Sequence, residues 1–313
     1  MKKILVIGSL NIDFVINVNK MPLPGETISA KDFNLICGGK GANQAYAAAK
    51  LGGNVSMIGA VGNDQYGKML IDNLESVGVD TSGIKVMDNV DTGRAFITVD
   101  GSGENSIVVV SGANSLVSKE LIDEKMDLID SADIIVMQLE IPLYVVSYVA
   151  ELARMKDKIV ILDPAPATNI PSDILRNIDI IKPNETELET LCGFEVNSDE
   201  DVIKGAISLI DNGVEKVIVT LGEKGSMYVD YNSDYKYDAF DVDVVDTTGA
   251  GDAFTGALVK SLVDGRDVSD AIKYAHFVSS IVVGRKGAQT SIPNEEEVYE
   301  FINRGRNYEE DNN

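Results

Sequence analysis

The chain has 313 residues, 44% of them hydrophobic and 25% charged, enough for a large core and a small second domain. Its formal net charge of −23 argues against nucleic acid or an anionic membrane as partner and predicts a solvated acidic surface. Cys37 and Cys192 have neither metal-ligand spacing nor a disulfide framework, which reads as two free thiols in a reducing, cytoplasmic setting.

The N-terminus, MKKILVIGSLNID, has the charged start of a signal peptide, but its apolar run is short and soon meets Asn11 and Asp13. It predicts a first β-strand instead, and no apolar run approaches the roughly 20 residues of a membrane span. Further strands are expected at 55–61, 133–138, 158–163, 179–183 and 216–222, several of them nearly continuous apolar runs. Such runs suit a parallel sheet covered on both faces. Helical patterns fall at 42–51, 64–77, 118–129, 142–155, 185–192, 199–212, 252–264, 267–283 and 294–303. The βα alternation predicts an α/β fold, a Rossmann-like doubly wound, mostly parallel sheet flanked by helices.

Two stretches carry no helical pattern. Residues 12–36 read as extended segments around the turn PLPGET, and residues 92–110 as a hairpin tipped by Asp100 to Glu104. They are expected to form a small β lid, leaving 1–11, 37–91 and 111–304 as the main domain. The polar end, 305–313, is expected to be a frayed acidic tail.

Some motifs fail on inspection. Gly62 to Met69 has P-loop spacing, but Met69 stands where a Ser or Thr is needed, and Asp64 and Tyr66 would crowd the phosphates. VVDTTGAGDAF (Val244 to Phe254) puts Phe254 at the third glycine position of a dinucleotide fingerprint. A single histidine, His276, and no G-x-S-x-G make a histidine-based hydrolase improbable.

CGGKGANQAYAAAKLGG (Cys37 to Gly53) is more informative. Its glycines let a ligand approach the backbone, and the first-turn amides of the following helix have no helical partners. Packing accounts for the alanines but leaves Lys40 and Asn43 unexplained. GSLNID (Gly8 to Asp13), MQLEIP (Met137 to Pro142), KPNETELETL (Lys182 to Leu191), TLGEKG (Thr220 to Gly225) and RKGAQTS (Arg285 to Ser291) are polar or glycine-rich segments that follow strands or helices. The carboxyl ends of strands are where open α/β sheets bind ligands.

GGKGANQAYAAAKLGG and DTTGAGDAFTGAL resemble the two signatures of the PfkB-type, ribokinase-like carbohydrate kinases, and the remaining segments, with DPAPA (163–167), fit the same family from about residue 3 to 303. The resemblance implies a Rossmann-like domain with a β-clasp lid that also makes a homodimer contact. It implies D-ribose as the acceptor, held by Asn11, Asp13, Gly39, Lys40, Gly41, Asn43 and Glu140. It implies ATP at Asn184, Thr220, Gly222, Glu223, Lys224, Gly225 and Gly251, with His276 nearby. Glu187 would organise Mg²⁺, and Asp246, Thr248, Val282, Arg285, Gly287 and Ser291 would surround an activating K⁺. Asp252 is then the expected general base, and the amides of Gly249, Ala250, Gly251 and Asp252 the expected anion hole.

Other acceptors within the family (2-deoxyribose, a nucleoside or a hexose) remain open at this level. So does a sugar-binding regulator without catalysis, although an intact Asp252 speaks against it. A dinucleotide oxidoreductase is discouraged by the failed glycine fingerprint.

Overall fold

A computed structural model describes residues 2–310. Its strands in chain order are β1 (Lys3–Ile7), β2 (Asn11–Asn17), β3 (Asp32–Gly38), β4 (Asn54–Gly62), β5 (Asp80–Met87), β6 (Gly93–Val99), β7 (Asn105–Val110), β8 (Ile134–Gln138), β9 (Ile159–Asp163), β10 (Ile180–Ile181), β11 (Lys216–Thr220), β12 (Ser226–Asp230) and β13 (Asp234–Tyr237). The α-helices are α1 (Lys40–Lys50), α2 (Gln65–Glu75), α3 (Lys119–Glu124), α4 (Met126–Ser131), α5 (Leu143–Met155), α6 (Ser172–Leu175), α7 (Glu185–Cys192), α8 (Asp199–Asp211), α9 (Ala250–Val263), α10 (Val268–Val283) and α11 (Glu295–Glu310).

Nine strands form the main sheet in the order β13-β12-β11-β10-β9-β8-β1-β4-β5, parallel from β11 through β5. At one edge β12 alone is reversed, pairing antiparallel with both β11 and β13. The side chains of β1 alternate between faces, as the two-residue period of a strand requires. Ile4 and Val6 join the core under α1, α9 and α10, whereas Leu5 and Ile7 join the core under α5 and α8. The expected doubly wound α/β fold is therefore what the chain forms.

The two helix-free stretches supply a second, four-stranded sheet in the order β3-β2-β6-β7. The β6–β7 hairpin closes with Val99 opposite Asn105, and the Asp100 carboxylate ties its tip by accepting from Ser102 and Glu104 amides. β2 starts at Asn11, so Asn11 and Asp13 lie on this smaller sheet rather than at the end of β1.

Several local expectations shift. The helix expected over 118–129 is two short helices broken at Lys125, whose ammonium reaches the Ser82 carbonyl at 2.7 Å. β5 and β13 were not among the expected strands; β5 is an edge strand whose polar residues hide its period. The last helix runs from Glu295 to Glu310, past the end expected for it at 303. Residues 311–313 of the expected frayed tail lie outside the described residues. The rejected P-loop segment is a capped helix start: Asp64 accepts from the amides of Tyr66, Gly67 and Thr92, the groups a phosphate would need.

Candidate active site

α9 begins through Gly249, whose φ of 76° is the left-handed conformation that glycine adopts without a Cβ penalty. The turn leaves the first amides of α9 without helical partners and sets Asp252 in the first turn. Asp252 is only 7% exposed. Its Oδ2 accepts from Asn43 Nδ2 at 2.8 Å and its Oδ1 from Gln44 Nε2 at 3.1 Å. Burial raises the Asp252 carboxyl above the usual carboxylate range; Lys40 opposes this, and Asp163 adds to it.

Asn43 and Gln44 come from the start of α1, which packs along α9 through alanines. The seam is tight enough that a Cβ on Gly256 would fall 2.6 Å from the Ala47 Cβ. Small residues at this crossing bring two helix starts together that lie 209 residues apart in sequence.

A buried polar chain extends from this point. Gln44 Nε2 also donates to Asp163 Oδ2 at 2.8 Å, and Gln138 donates to Gln44 Oε1 at 2.6 Å. Asp163 pairs with Lys182 at 3.3 Å, both side chains almost fully buried. The Lys182 ammonium lies against the α9 start, 3.8 Å from where a Cβ on Gly251 would be. On the other side, Gln289 donates to Asn43 Oδ1 at 2.9 Å and accepts from Asn73.

The Lys40 ammonium faces several carboxylates. Burial alone would push it toward neutrality, but Asp252, Asp163, Glu140 and Glu187 outweigh that and hold it above the ordinary lysine range. Glu140 accepts from the Lys40 amide at 3.1 Å and from the Ser9 hydroxyl, which anchors the loop after β8 to the start of α1. Gly39 and Gly41 flank Lys40 in that entry, and a Cβ on Gly41 would overlap the Ser9 amide at 2.6 Å. Asp13, on β2, is raised to about 7 by burial and then by the nearby Glu140 and Asp252 charges. A cavity of ≈ 400 Å³ between the two sheets is lined by Asn11, Asn114, Glu140 and Pro166 among others.

On the far side of the α9 start lies a groove of ≈ 1080 Å³. Asn184, Thr220, Gly222, Glu223, Lys224, Gly225, Ala250, Gly251 and His276 all line it, so the positions expected to hold a nucleotide share one surface. Burial pushes His276 down to about 4, leaving a neutral imidazole 2.8 Å from the Ser226 hydroxyl. Asn184 and Glu187 form a reciprocal cap on α7, each backbone N–H bound by the other side chain at 2.8 Å. Burial and Asp163 raise the Glu187 carboxyl, while the Asn184 amide, Lys182 and Lys40 oppose them.

The residues expected around a monovalent cation also converge. Asp246 accepts from the amides of Thr248 and Gly287, both at 2.9 Å, stitching the loop before α9 to the one after α10. Arg285 donates to the Ser291 carbonyl at 3.4 Å and to Glu297 at 2.7 Å. The Val282 carbonyl already accepts from the Arg285 amide at 3.0 Å. Among the described residues, no group of three or more His, Cys, Asp or Glu is placed to hold a metal ion. A divalent ion would thus fit here mainly through nucleotide phosphates and water, with Glu187 as the nearby carboxylate.

Sequence reasoning passed over Asn114, Gln44, Asp163 and Lys182 as site residues. Asp163 ends β9, and Lys182 follows β10, so the rule of strand carboxyl ends could have found both. Asn114 had no such signal.

One turn that lines a groove at Ala250 and Gly251 and turns the buried Asp252 carboxylate to Asn43 and Gln44 is the layout of a phosphotransferase acting on an alcohol. A profile described as pfkB family carbohydrate kinase matches residues 1–295. The chain is 41% identical over 301 residues to the ribokinase of Haemophilus influenzae, covering 96% of this chain and 98% of that one. It is 39% identical over 300 residues to the deoxyribokinase of Salmonella typhi, covering 96% and 98%. The structure of Arabidopsis thaliana ribokinase complexed with ribose and ATP matches with a TM-score of 0.91 and 34% identity, covering 96% of this chain and 98% of that one. The chain belongs to the PfkB family of carbohydrate kinases.

Proposed function

We propose that the chain transfers the γ-phosphoryl group of ATP to the 5-hydroxyl of D-ribose, giving ribose 5-phosphate and ADP. The observation that carries this reading is the α9 start. Gly251 lines the nucleotide groove, while the next residue, Asp252, turns its carboxylate to the Asn43 side. The likeness to ribokinases over nearly the whole chain supports ribose as the acceptor.

The sugar lies in the cavity against Asn11, Asp13, Glu140 and the Gly39–Lys40–Gly41 entry to α1, with Asn43 holding Asp252. The 5-hydroxyl oxygen attacks the γ-phosphorus, the bond to the β–γ bridging oxygen breaks, and the hydroxyl proton passes to Asp252. In a loose transition state the proton moves late, so the base need not be strong. The amides of Gly249 to Asp252 and the positive end of α9 stabilise charge on the moving group, and the Lys182 ammonium adds to them. Glu187 would hold a Mg²⁺ ion through water, and that ion would supply charge neutralisation to the phosphates. Asn184 with Thr220 to Gly225 holds the nucleotide. Closure of the small sheet over the sugar excludes water.

Three further readings follow. The Asp246 loops fit an activating K⁺. The exposed Phe33, Leu35, Ile107 and Val108 of the small sheet fit a homodimer contact. The chain works in the cytoplasm as two-thiol, acidic, globular protein; among the described residues, no helix is long and apolar enough to cross a membrane.

The deoxyribokinase relative makes 2-deoxyribose the second acceptor to weigh. A coupled ADP-release assay across D-ribose, 2-deoxy-D-ribose, a nucleoside and a hexose, with and without K⁺, tests the reading. D-ribose should give the highest kcat/KM; a higher value for any other acceptor overturns it.

A further inference from the structure

The amide orientation of Asn11 is dictated by a residue 103 positions away. The Leu10 backbone N–H donates to Asn114 Oδ1 at 2.9 Å. A backbone N–H can only donate, so the oxygen of Asn114 must face it. The Asn114 Nδ2 is thereby turned to the Leu10 carbonyl at 3.1 Å and to Asn11 Oδ1 at 2.8 Å. The oxygen of Asn11 is then taken. Its Nδ2 has no partner among the described residues, and Asn11 lines the cavity that also holds Glu140.

The pair has no room to rearrange by sliding. Asn114 is 1% exposed, and a Cβ on Gly93 would sit 2.2 Å from Asn11 Oδ1 and 2.3 Å from Asn114 Nδ2. Reversing one amide therefore means reversing the other. We infer that Asn114 is a positioning residue that fixes Asn11 as a hydrogen-bond donor toward the sugar, so that the site requires an oxygen, the 2-hydroxyl, where Asn11 points.

The chemistry of the cavity explains why a donor is needed. Asp13 shares the inward face of β2 with Asn11, two residues on, and Glu140 lies opposite. The Glu140 carboxylate accepts, and each sugar hydroxyl has one proton to give. A hydroxyl whose proton goes to a carboxylate needs a donor at its oxygen, which Asn11 Nδ2 supplies. A 2-deoxy sugar leaves that donor unpaired in a closed site, the kind of mismatch that discriminates strongly.

This inference rests on the sugar reading under Proposed function, and the experiment separates the two. Initial rates for D-ribose and 2-deoxy-D-ribose are measured with saturating ATP for the wild type, Asn114→Asp and Asn11→Asp, beside thermal melts. Asp at position 114 still accepts from the Leu10 amide but cannot donate, so Asn11 must turn its Nδ2 to it and present oxygen. Asn11→Asp presents oxygen without touching Asn114.

Both variants should raise KM for ribose about tenfold or more, keep kcat within about threefold, and lower the ribose-over-deoxyribose preference about tenfold. Agreement between them is the signature of amide polarity, which a merely structural role would not produce. A folded Asn114→Asp that weakens both sugars alike, or an Asn11→Asp that keeps the preference, overturns the inference while ribose turnover by the wild type keeps the functional reading. If Asn114→Asp does not fold, an Asn11→Asp that keeps the preference still overturns the inference. A wild type inactive on ribose overturns both.

Discussion

The carboxylate of Asp252 and the amide of Asn43 meet at 2.8 Å although 209 residues separate them. The α1–α9 seam makes that meeting possible, and Gly256 is its closest point. Gly256→Ala should drive Cβ into Ala47 and the Ala48 amide, 2.6 and 2.9 Å away. Overpacking of this kind costs about 1–3 kcal/mol. Denaturant melts should show that loss, together with a fall in kcat as Asn43 is drawn away from Asp252.

Removing the proposed base isolates its role. Asp252→Asn keeps the shape and one acceptor, so the fold should survive, while kcat falls by ~10²–10⁴. Intact ATP binding by calorimetry would show that the nucleotide groove is unharmed. Turnover near the wild-type level would refute Asp252 as the base.

Lys40 bears on pH dependence. Its charge opposes the rise of the Asp252 carboxyl. Lys40→Met therefore raises that carboxyl further, and the base acts only when deprotonated. The acid limb of the kcat/KM profile should move to higher pH, alongside a KM increase for ribose of roughly tenfold or more. An acid limb unchanged in position would show that Lys40 does not tune the base.

Asp13 is raised from 3.8 to about 7 in the fold, by burial first. A carboxyl so shifted binds its proton more tightly when folded, so its stabilising contribution is present below pH 3.8 and lost as pH rises through about 7. Asp13→Asn should thus raise the stability of the sugar-free protein at pH 8 by ~1–3 kcal/mol and change it little at pH 4. Ribose affinity should fall at the same time, the trade of stability against a strained site. Melts at the two pH values check the sign.

Asp246 binds two loops through the Thr248 and Gly287 amides. In Asp246→Asn one oxygen becomes a donor facing a backbone N–H, costing about 1–3 kcal/mol locally. Rates in KCl and NaCl at equal ionic strength should differ for the wild type and converge for the variant. A variant still stimulated by K⁺ would place the cation elsewhere.

Much of the architecture was legible because parallel strands buried on both faces leave continuous apolar runs such as ILVI and IVILD. The small sheet was visible as a gap in helical periodicity. β5 was not, since an edge strand half in water carries no such run. Apart from His276, in the middle of α10, the nucleotide positions were legible as motifs, and they share one groove because each follows a strand or opens a helix at the same end of the sheet.

The sequence by itself determined the layering, the glycine-bounded helix starts and the carboxylate at Asp252, because those depend on local period and backbone conformation. Only the tertiary structure decided that Asp252 faces Asn43 and Gln44, that Asp163 and Lys182 form a buried pair beside Gly251, and that Asn114 turns the amide of Asn11. These are contacts between residues carried by different secondary-structure elements. Their existence depends on how closely two packed elements approach, and their polarity on which donor the neighbouring backbone presents; neither leaves a mark within any one segment.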